Sequence, residues 1–383
     1  LDGFANAINT IKNDVTTEQS RAISTEEQLD DKYAGITDGL QDQINAITPT
    51  TITGDVTNAP DEEDLTSVDG LLRFKNNPYG VGFGTSFVRK NSNLASVISS
   101  VNTIYIIRYS HDLDGETLEL PSNSVLFFDG GKIYNGTIEG DNSCIIAGNY
   151  QIFRDIVIDG TWCNGVVYGK WFDFASVEGQ DDAANINSLM QLCNGSDNTK
   201  VYMPQGNIYT SVIYGSTTGA MIVPSNTTIM MQGCTLHVMP NNFERYNLIL
   251  IRDVSDVKIF GGIIVGDKAG HTGATGEWGH GVKIGGAKNV VIEDLYSHDF
   301  WGDGLDIIEG TGDPSFISVS RCEFRGNRRN GISIEAGQNI NITRCVSSEN
   351  GINGVNPKAG LDIEPWQAGA NKVKNISVIG CEF

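Results

Sequence analysis

Hydrophobic positions in the last third of the chain recur in short alternating runs. Val290/Ile292/Leu295, Ile317/Val319/Cys322, Ile340/Ile342/Cys345 and Ile376/Val378/Cys381 take matching places in four successive segments. The first three are each followed by a second run, Leu305/Ile307, Ile332/Ile334 and Leu361/Ile363, and Val282/Ile284 begin that series. A glycine precedes every second run: Gly281, Gly304, Gly331 and Gly360. The spacings Ile284–Ile307, Ile307–Ile334 and Ile334–Ile363 are 23, 27 and 29 residues. Short regular strands joined by loops of unequal length predict a parallel β-helix, with like residues stacked about 4.8 Å apart along its axis. Cys322, Cys345 and Cys381 then read as an inward ladder of small core residues.

The N-terminal pattern is different. Phe4, Ile8, Ile11, Val15, Glu18 and Ala22 follow alternating steps of four and three. Glu26, Leu29, Tyr33, Ile36, Leu40, Gln43 and Ile47 resume the spacing after one extra step of four, a stutter that locally unwinds a supercoil. Isoleucine at both kinds of seam position favours three strands. The stripe is narrow, and Gly35 and Gly39 weaken a helix standing alone, so a trimeric coiled-coil stalk over 1–48 is expected rather than one helix packed on its own domain. Thr48-Pro49 ends it. A connector over 49–95, a β-rich neck over 96–170 and the β-helix over 171–383 complete the expected order. The fold class is thus all-β, a right-handed parallel β-helix preceded by an α-helical coiled coil.

One gapless internal repeat supports stacking upstream as well. Pro121–Ile133 and Pro224–Leu236 share the same strand–glycine turn–strand pattern about a hundred residues apart. The chain has 45 glycines and 10 prolines among 383 residues and no G-X-Y period, which suits tight turns and excludes collagen. Its net charge of −21 argues against nucleic acid and against an anionic membrane surface. No apolar run reaches membrane-spanning length, so no membrane insertion is expected. Seven scattered cysteines without CxxC spacing predict neither a disulfide framework nor a zinc site, and point to folding in a reducing cytoplasm. No cofactor or metal is expected. The sequence opens on Leu1 with no signal peptide and closes at Phe383 in mid-strand, so a fragment that continues beyond the chain is expected.

Two stretches resemble a known family. Trp171-Phe172, then Gly179-Gln180-Asp181-Asp182-Ala183-Ala184-Asn185-Ile186, then Val201-Tyr202-Met203-Pro204-Gln205-Gly206-Asn207-Ile208-Tyr209, is similar to the N-terminal cap of pectate-lyase-like bacteriophage tail spikes. Gln180 departs from the valine or threonine common there. Asn102–Tyr109, with the Asp114-Gly115 turn and Gly130-Gly131, resembles a β-module found before this cap in proteins of gut Bacteroidales and their phages, crAss-like ones included. The resemblance implies a homotrimeric tail spike or tail fibre of the virion, assembled in the host cytoplasm. Its N-terminal region would attach to other tail or baseplate proteins, and its β-helix would meet host surface polysaccharide. The scaffold itself carries hydrolases, lyases and inert adhesins alike.

Candidate chemistry follows from strand alternation. With Leu361 and Ile363 inward, Asp362 and Glu364 face outward, and by the same rule so do Lys283, Asp306, Ser333 and Glu335. The catalytic candidates are Glu335, Asp306, Asp362 and Glu364. Asp306 and Glu335, one coil and two residues apart, are expected at roughly 8 Å, suiting inversion, and Glu335 and Glu364 at about 5 Å, suiting retention. Glu335, crowded by the others, is the expected general acid. An acidic exposed face on an acidic protein is the plainer reading of the same residues. Trp278, Trp301 and Trp366 flank second strands and are expected as sugar platforms, with Lys283 and His280 as further binding residues. His280 in Gly279-His280-Gly281 and Asp303 in Gly302-Asp303-Gly304 resemble polygalacturonase motifs in reversed order, so those roles are not transferred. His298-Asp299 reads as a solvated turn pair. The function expected is a tail spike that binds and depolymerises surface polysaccharide, as a hydrolase in preference to a lyase. A non-catalytic receptor-binding or structural tail protein is the alternative.

Overall fold

A computed structural model describes the backbone of residues 65–68 and 71–74 and all atoms of residues 84–365 and 372–383. The chain divides into two compact units, 1–82 and 83–383. The stalk expected over 1–48 lies outside the described residues. Strands Leu65–Val68 and Leu71–Phe74 pair antiparallel within the first unit.

The second unit is a stack of parallel strands. It begins at Gly84–Val88, which pairs with Thr103–Ile107, so pairing starts inside the stretch expected as connector. Thr103–Ile107 pairs with Val125–Phe128, and the long strand Lys132–Ile146 pairs with Val125–Phe128 on one side and Phe153–Trp162 on another. The inward residues Tyr105, Ile107, Leu126, Phe128, Ile133, Ile138, Phe153 and Ile158 form the buried core of this neck. At its outer turns, Asn123 Nδ2 donates to Asn102 Oδ1 at 2.9 Å and Asn142 Nδ2 to Asn123 Oδ1 at 2.7 Å. All three asparagines have positive φ, which their short side chains tolerate at a turn.

Helix Ala183–Gln191 lies over strand Phe153–Trp162, where Ser188 Oγ bonds Ile156 O and Ile158 N. The two aspartates before it are structural. Asp182 is buried and accepts from Ala175 N at 2.7 Å, while Asp181 Oδ1 accepts from Ala183 N and Ser211 N, each at 2.9 Å.

From Val166 onward each coil visits three sheets in turn. The first sheet has eight strands from Val166–Tyr168 to Val373–Ile379, and the second six from Gly206–Thr210 to Val346–Ser348. The third has six: Met221–Ile222, Arg245–Arg252, Trp278–Gly285, Leu305–Ile308, Ile332–Ile334 and Leu361–Ile363. Every neighbouring pair in these sheets is parallel. The aliphatic runs stack as the sequence pattern requires, Val290–Ile317–Ile340–Ile376 on the first sheet and Val282–Leu305–Ile332–Leu361 on the third. Cys322 and Cys345 are buried and Cys381 is half-buried, and none of the seven cysteines forms a disulfide. Gly281, Gly304, Gly331 and Gly360 mark close approaches: a Cβ on Gly331 would collide with Ser347 Oγ. Among the described residues no helix is long and apolar enough to cross a membrane.

Candidate functional site

The register of the third sheet aligns Lys283, Asp306, Ser333 and Asp362 one above another on its outer face. Alternation alone places them there, since Val282, Ile284, Leu305, Ile307, Ile332 and Ile334 fill the interior. Three of the four are nevertheless shielded from water. Asp306 is 1% exposed, Ser333 2% and Lys283 6%, so the picture of a solvated acidic face does not hold. The segments that end in Gly281, Gly304 and Gly331 bring side chains against them, His280 to Asp306, and Asp303, Arg329 and Asn330 to Ser333.

Those segments form a second column, the residue preceding each glycine: His280, Asp303, Asn330 and Ala359. From Asp303 onward, each backbone N–H of this column donates to the side chain one coil below. Asp303 N donates to His280 Nδ1 at 3.2 Å, Asn330 N to Asp303 Oδ1 at 2.8 Å, and Ala359 N to Asn330 Oδ1 at 2.9 Å. Asp303, fully buried, also accepts from Arg329 Nη1 at 2.8 Å and from Ser333 Oγ at 2.9 Å. Arg329 reaches further, with Nη2 3.7 Å from Glu364 and Nε 3.9 Å from Glu277. Asn330 Nδ2 ties the column to Asp362 Oδ2 at 3.3 Å.

Asp306 is held from one side. Lys283 Nζ lies 3.1 Å and His280 Nε2 3.6 Å from its Oδ2. Burial pushes the His280 imidazole down to about 3, so it is neutral at ordinary pH. With Nδ1 accepting from Asp303 N, its proton belongs on Nε2, facing Asp306. The other oxygen, Asp306 Oδ1, is buried without a hydrogen-bond partner.

Glu335 sits at the edge of this network, half-buried. It follows the aligned pair Ile334–Ile363 and so stands level with Glu364, whose N–H donates to Ile334 O. Its carboxyl is lifted to about 7, first by burial and then by the Asp306 charge, with Lys283 and Arg329 opposing. Burial likewise lifts Asp303 to about 7 against the pull of Arg329. The crowding expected from Asp362 and Glu364 is therefore not the cause: burial leads, and Asp306 and Asp303 are the carboxylates that act on Glu335.

The tryptophans divide. The Trp301 ring stacks on His271 at 3.8 Å between centroids and carries the Arg328 guanidinium 3.7 Å from its own centroid. Two flat groups that close require opposite faces, so neither face is left for a sugar. Trp301 is thus a packing residue, and His271 behind it is fixed by Asp267 at 2.8 Å. Trp278 is 39% exposed and keeps only Arg245 over its ring, at 4.6 Å. Trp366 lies outside the described residues. His298 Nδ1 and Asp299 Oδ2 are 2.8 Å apart at the surface of the second sheet, away from this cluster.

Sequence reasoning misses Asp303, Arg329 and Asn330 as members of the site, although the signal is present. Asp303 and Asn330 stand directly before the recurring glycines, at the offset that His280 occupies in an earlier coil, and Arg329 is the residue before Asn330.

The family described as right handed beta helix region matches residues 192–378. The fold is a right-handed parallel β-helix. Two curated relatives come from Bacillus subtilis (strain 168). The uncharacterized protein YclG is 33% identical over 175 residues, covering 40% of this chain and 30% of that protein. The SPbeta prophage-derived uncharacterized protein YorA is 26% identical over 186 residues, covering 43% of this chain and 32% of that protein. The chain thus matches about a third of the length of these relatives. Solved structures similar to it include the enzymatically active domain of bacteriophage CBA120 tailspike protein 2. That likeness has 12% identity and a TM-score of 0.28, over 72% of this chain and 41% of that one.

Proposed function

We propose that this chain is a bacteriophage tail-spike protein whose third sheet binds and hydrolyses host surface polysaccharide. The observation that carries the reading is Glu335: a half-buried carboxyl, lifted to about 7, at the rim of a buried charge network whose other members are held in place. A glycosidic oxygen needs a proton donor that keeps its proton near neutral pH, and Glu335 meets that need. The prophage origin of one relative supports the tail assignment.

The roles follow from access. Asp306 is covered, with Oδ2 engaged by Lys283, so it serves as the fixed negative charge that helps Glu335 keep its proton. The carboxylates reachable by substrate are Asp362 and Glu364. Glu364 stands one coil from Glu335, about 5 Å by strand spacing, the separation of a nucleophile in retention. Asp362 stands one coil and two residues away, roughly 8 Å, with room for an activated water and inversion. In either case Glu335 donates its proton to the leaving oxygen as the glycosidic bond breaks. Trp278 offers an indole face at the flank.

The test is Glu335→Gln, which keeps the shape and removes the transferable proton. Release of reducing ends from host capsule should fall at least ~100-fold while glycan binding survives. Equal turnover in parent and variant would remove Glu335 from the mechanism. Binding without turnover in the parent would instead favour the adhesin reading. Unsaturated products absorbing in the ultraviolet would favour a lyase. Assembly is proposed as a parallel homotrimer through residues 4–47, joined to other tail or baseplate proteins. Light scattering of the full chain should give three copies. The neck's likeness to modules of gut Bacteroidales phages, crAss-like ones included, points to a host of that kind.

A further inference from the structure

We infer that the sugar units flanking the cleaved bond carry no carboxylate: the substrate is a glycan of neutral or amino sugars at this point, rather than a uronic- or sialic-acid polymer. The inference rests on the hydrolase reading of the Glu335 site and specifies its substrate.

The argument is one of charge pairing. An acidic sugar is bound by a cation that is free to meet its carboxylate, most effectively an arginine presenting two donors. Among the described residues two cations enter this site, and both are engaged by the protein's own carboxylates. Lys283 is 3.1 Å from Asp306, and Arg329 is 2.8 Å from Asp303 with its remaining nitrogens turned toward Glu277 and Glu364. His280 adds no positive charge, because it is buried and its Nδ1 is occupied as an acceptor. What faces a ligand beside the protonated Glu335 is therefore acceptor-rich: Asp362 and Glu364 at the rim, and behind them Asp306 Oδ1, buried with no donor of its own. Hydroxyl, acetamido N–H and ammonium groups are donors that match such a wall. A carboxylate is an acceptor and a like charge, and it would be desolvated against Asp362, Glu364 and Asp306.

Arg245 does not change this. It belongs to the coil of Leu250, three coils below Ser333, hence about 14 Å from the Glu335 coil by strand spacing, which is beyond the two sugars that flank the bond. Its guanidinium over Trp278 could meet an acidic unit only farther along the chain. A consequence for chemistry follows. β-Elimination abstracts the proton beside a uronate carboxyl, so a site that rejects uronates has no substrate for it.

The experiment uses the full chain carrying Glu335→Gln, so that binding is read apart from turnover. Its probes are one uronic-acid-containing capsular polysaccharide and the same material after its carboxyls are reduced to primary alcohols. The reduced glycan should bind at least ~10-fold more tightly at low ionic strength. Asp362→Asn/Glu364→Gln, added to the same chain, should narrow that gap by improving binding of the acidic form. Equal or tighter binding of the acidic form, or a gap that the added substitutions leave unchanged, overturns the inference. Turnover in the parent is scored separately. Cleavage of the acidic polymer that is lost in Glu335→Gln would sink this inference while leaving the hydrolase reading intact. Selective binding of the reduced glycan with no turnover would do the reverse. Failure of both forms to bind would remove both.

Discussion

The neck, residues 84–162, and the β-helix beyond residue 199 are built by the same rule and apply it differently. In the neck, the polar line along the turns is Asn102, Asn123 and Asn142, each amide donating to the one before it. A neutral ladder of this kind satisfies itself coil by coil and needs nothing from elsewhere. In the β-helix, the line through His280, Asp303 and Asn330 is also closed by coil-to-coil hydrogen bonds, but it buries an acid that calls on Arg329. Beside it, Asp306 calls on Lys283. Burying charge costs stability even when it is paired, and well-packed apolar groups would hold the coils at least as well. A fold that closes this line with amides in the neck and with buried charges in the β-helix favours the second as the place of the proposed chemistry.

The largest test of this contrast is Arg329→Met. At pH 8 the buried Asp303 carboxyl then loses the cation that opposes its burial and must stand unpaired or take up a proton. Denaturant unfolding should show a loss of about 3–5 kcal/mol. Replacing both partners, Asp303→Leu with Arg329→Met, should return stability to within about 2 kcal/mol of the parent while abolishing turnover. A double variant as unstable as the single one would mean that the ion pair holds the fold rather than the site.

The second test is pH. On the proposed hydrolase reading Glu335 acts in its protonated form, and burial lifts it to about 7, so kcat/KM should be retained below that value. Above it, the rate should drop tenfold, about 1.4 kcal/mol, for each pH unit. The residual activity of Glu335→Gln should lack this alkaline limb. A limb that persists in that variant would assign it to another group, Asp303 being the first to examine.

The smallest effect belongs to the neck. Asn142→Ala removes one rung of the amide ladder, its hydrogen bond to Asn123, and should cost about 1 kcal/mol, with glycan turnover unchanged. A cost rivalling that of Arg329→Met would erase the distinction between the two regions.

The stack is written in neighbouring residues. Alternation of Leu305/Ile307, Ile332/Ile334 and Leu361/Ile363 behind a recurring glycine sets which side chains face inward, because a strand's period is two and a register slip would expose the whole core. The same alternation sets the line Lys283, Asp306, Ser333, Asp362, which the register reproduces. Local steric rules suffice for all of this. What that line can do is a matter of how the coils close over it. That Asp306 is shielded, that Arg329 reaches Asp303, and that Trp301 is sandwiched by His271 and Arg328 depend on loops of unequal length. Their paths are fixed by contacts between coils some 25 to 60 residues apart, such as Arg328 to Gly276 or Lys268 to Gly326. A carboxyl's proton affinity follows from burial and from charges gathered across those coils. Glu335 can be singled out in the sequence, yet the leading cause of its shift, burial, exists only once the coils are stacked.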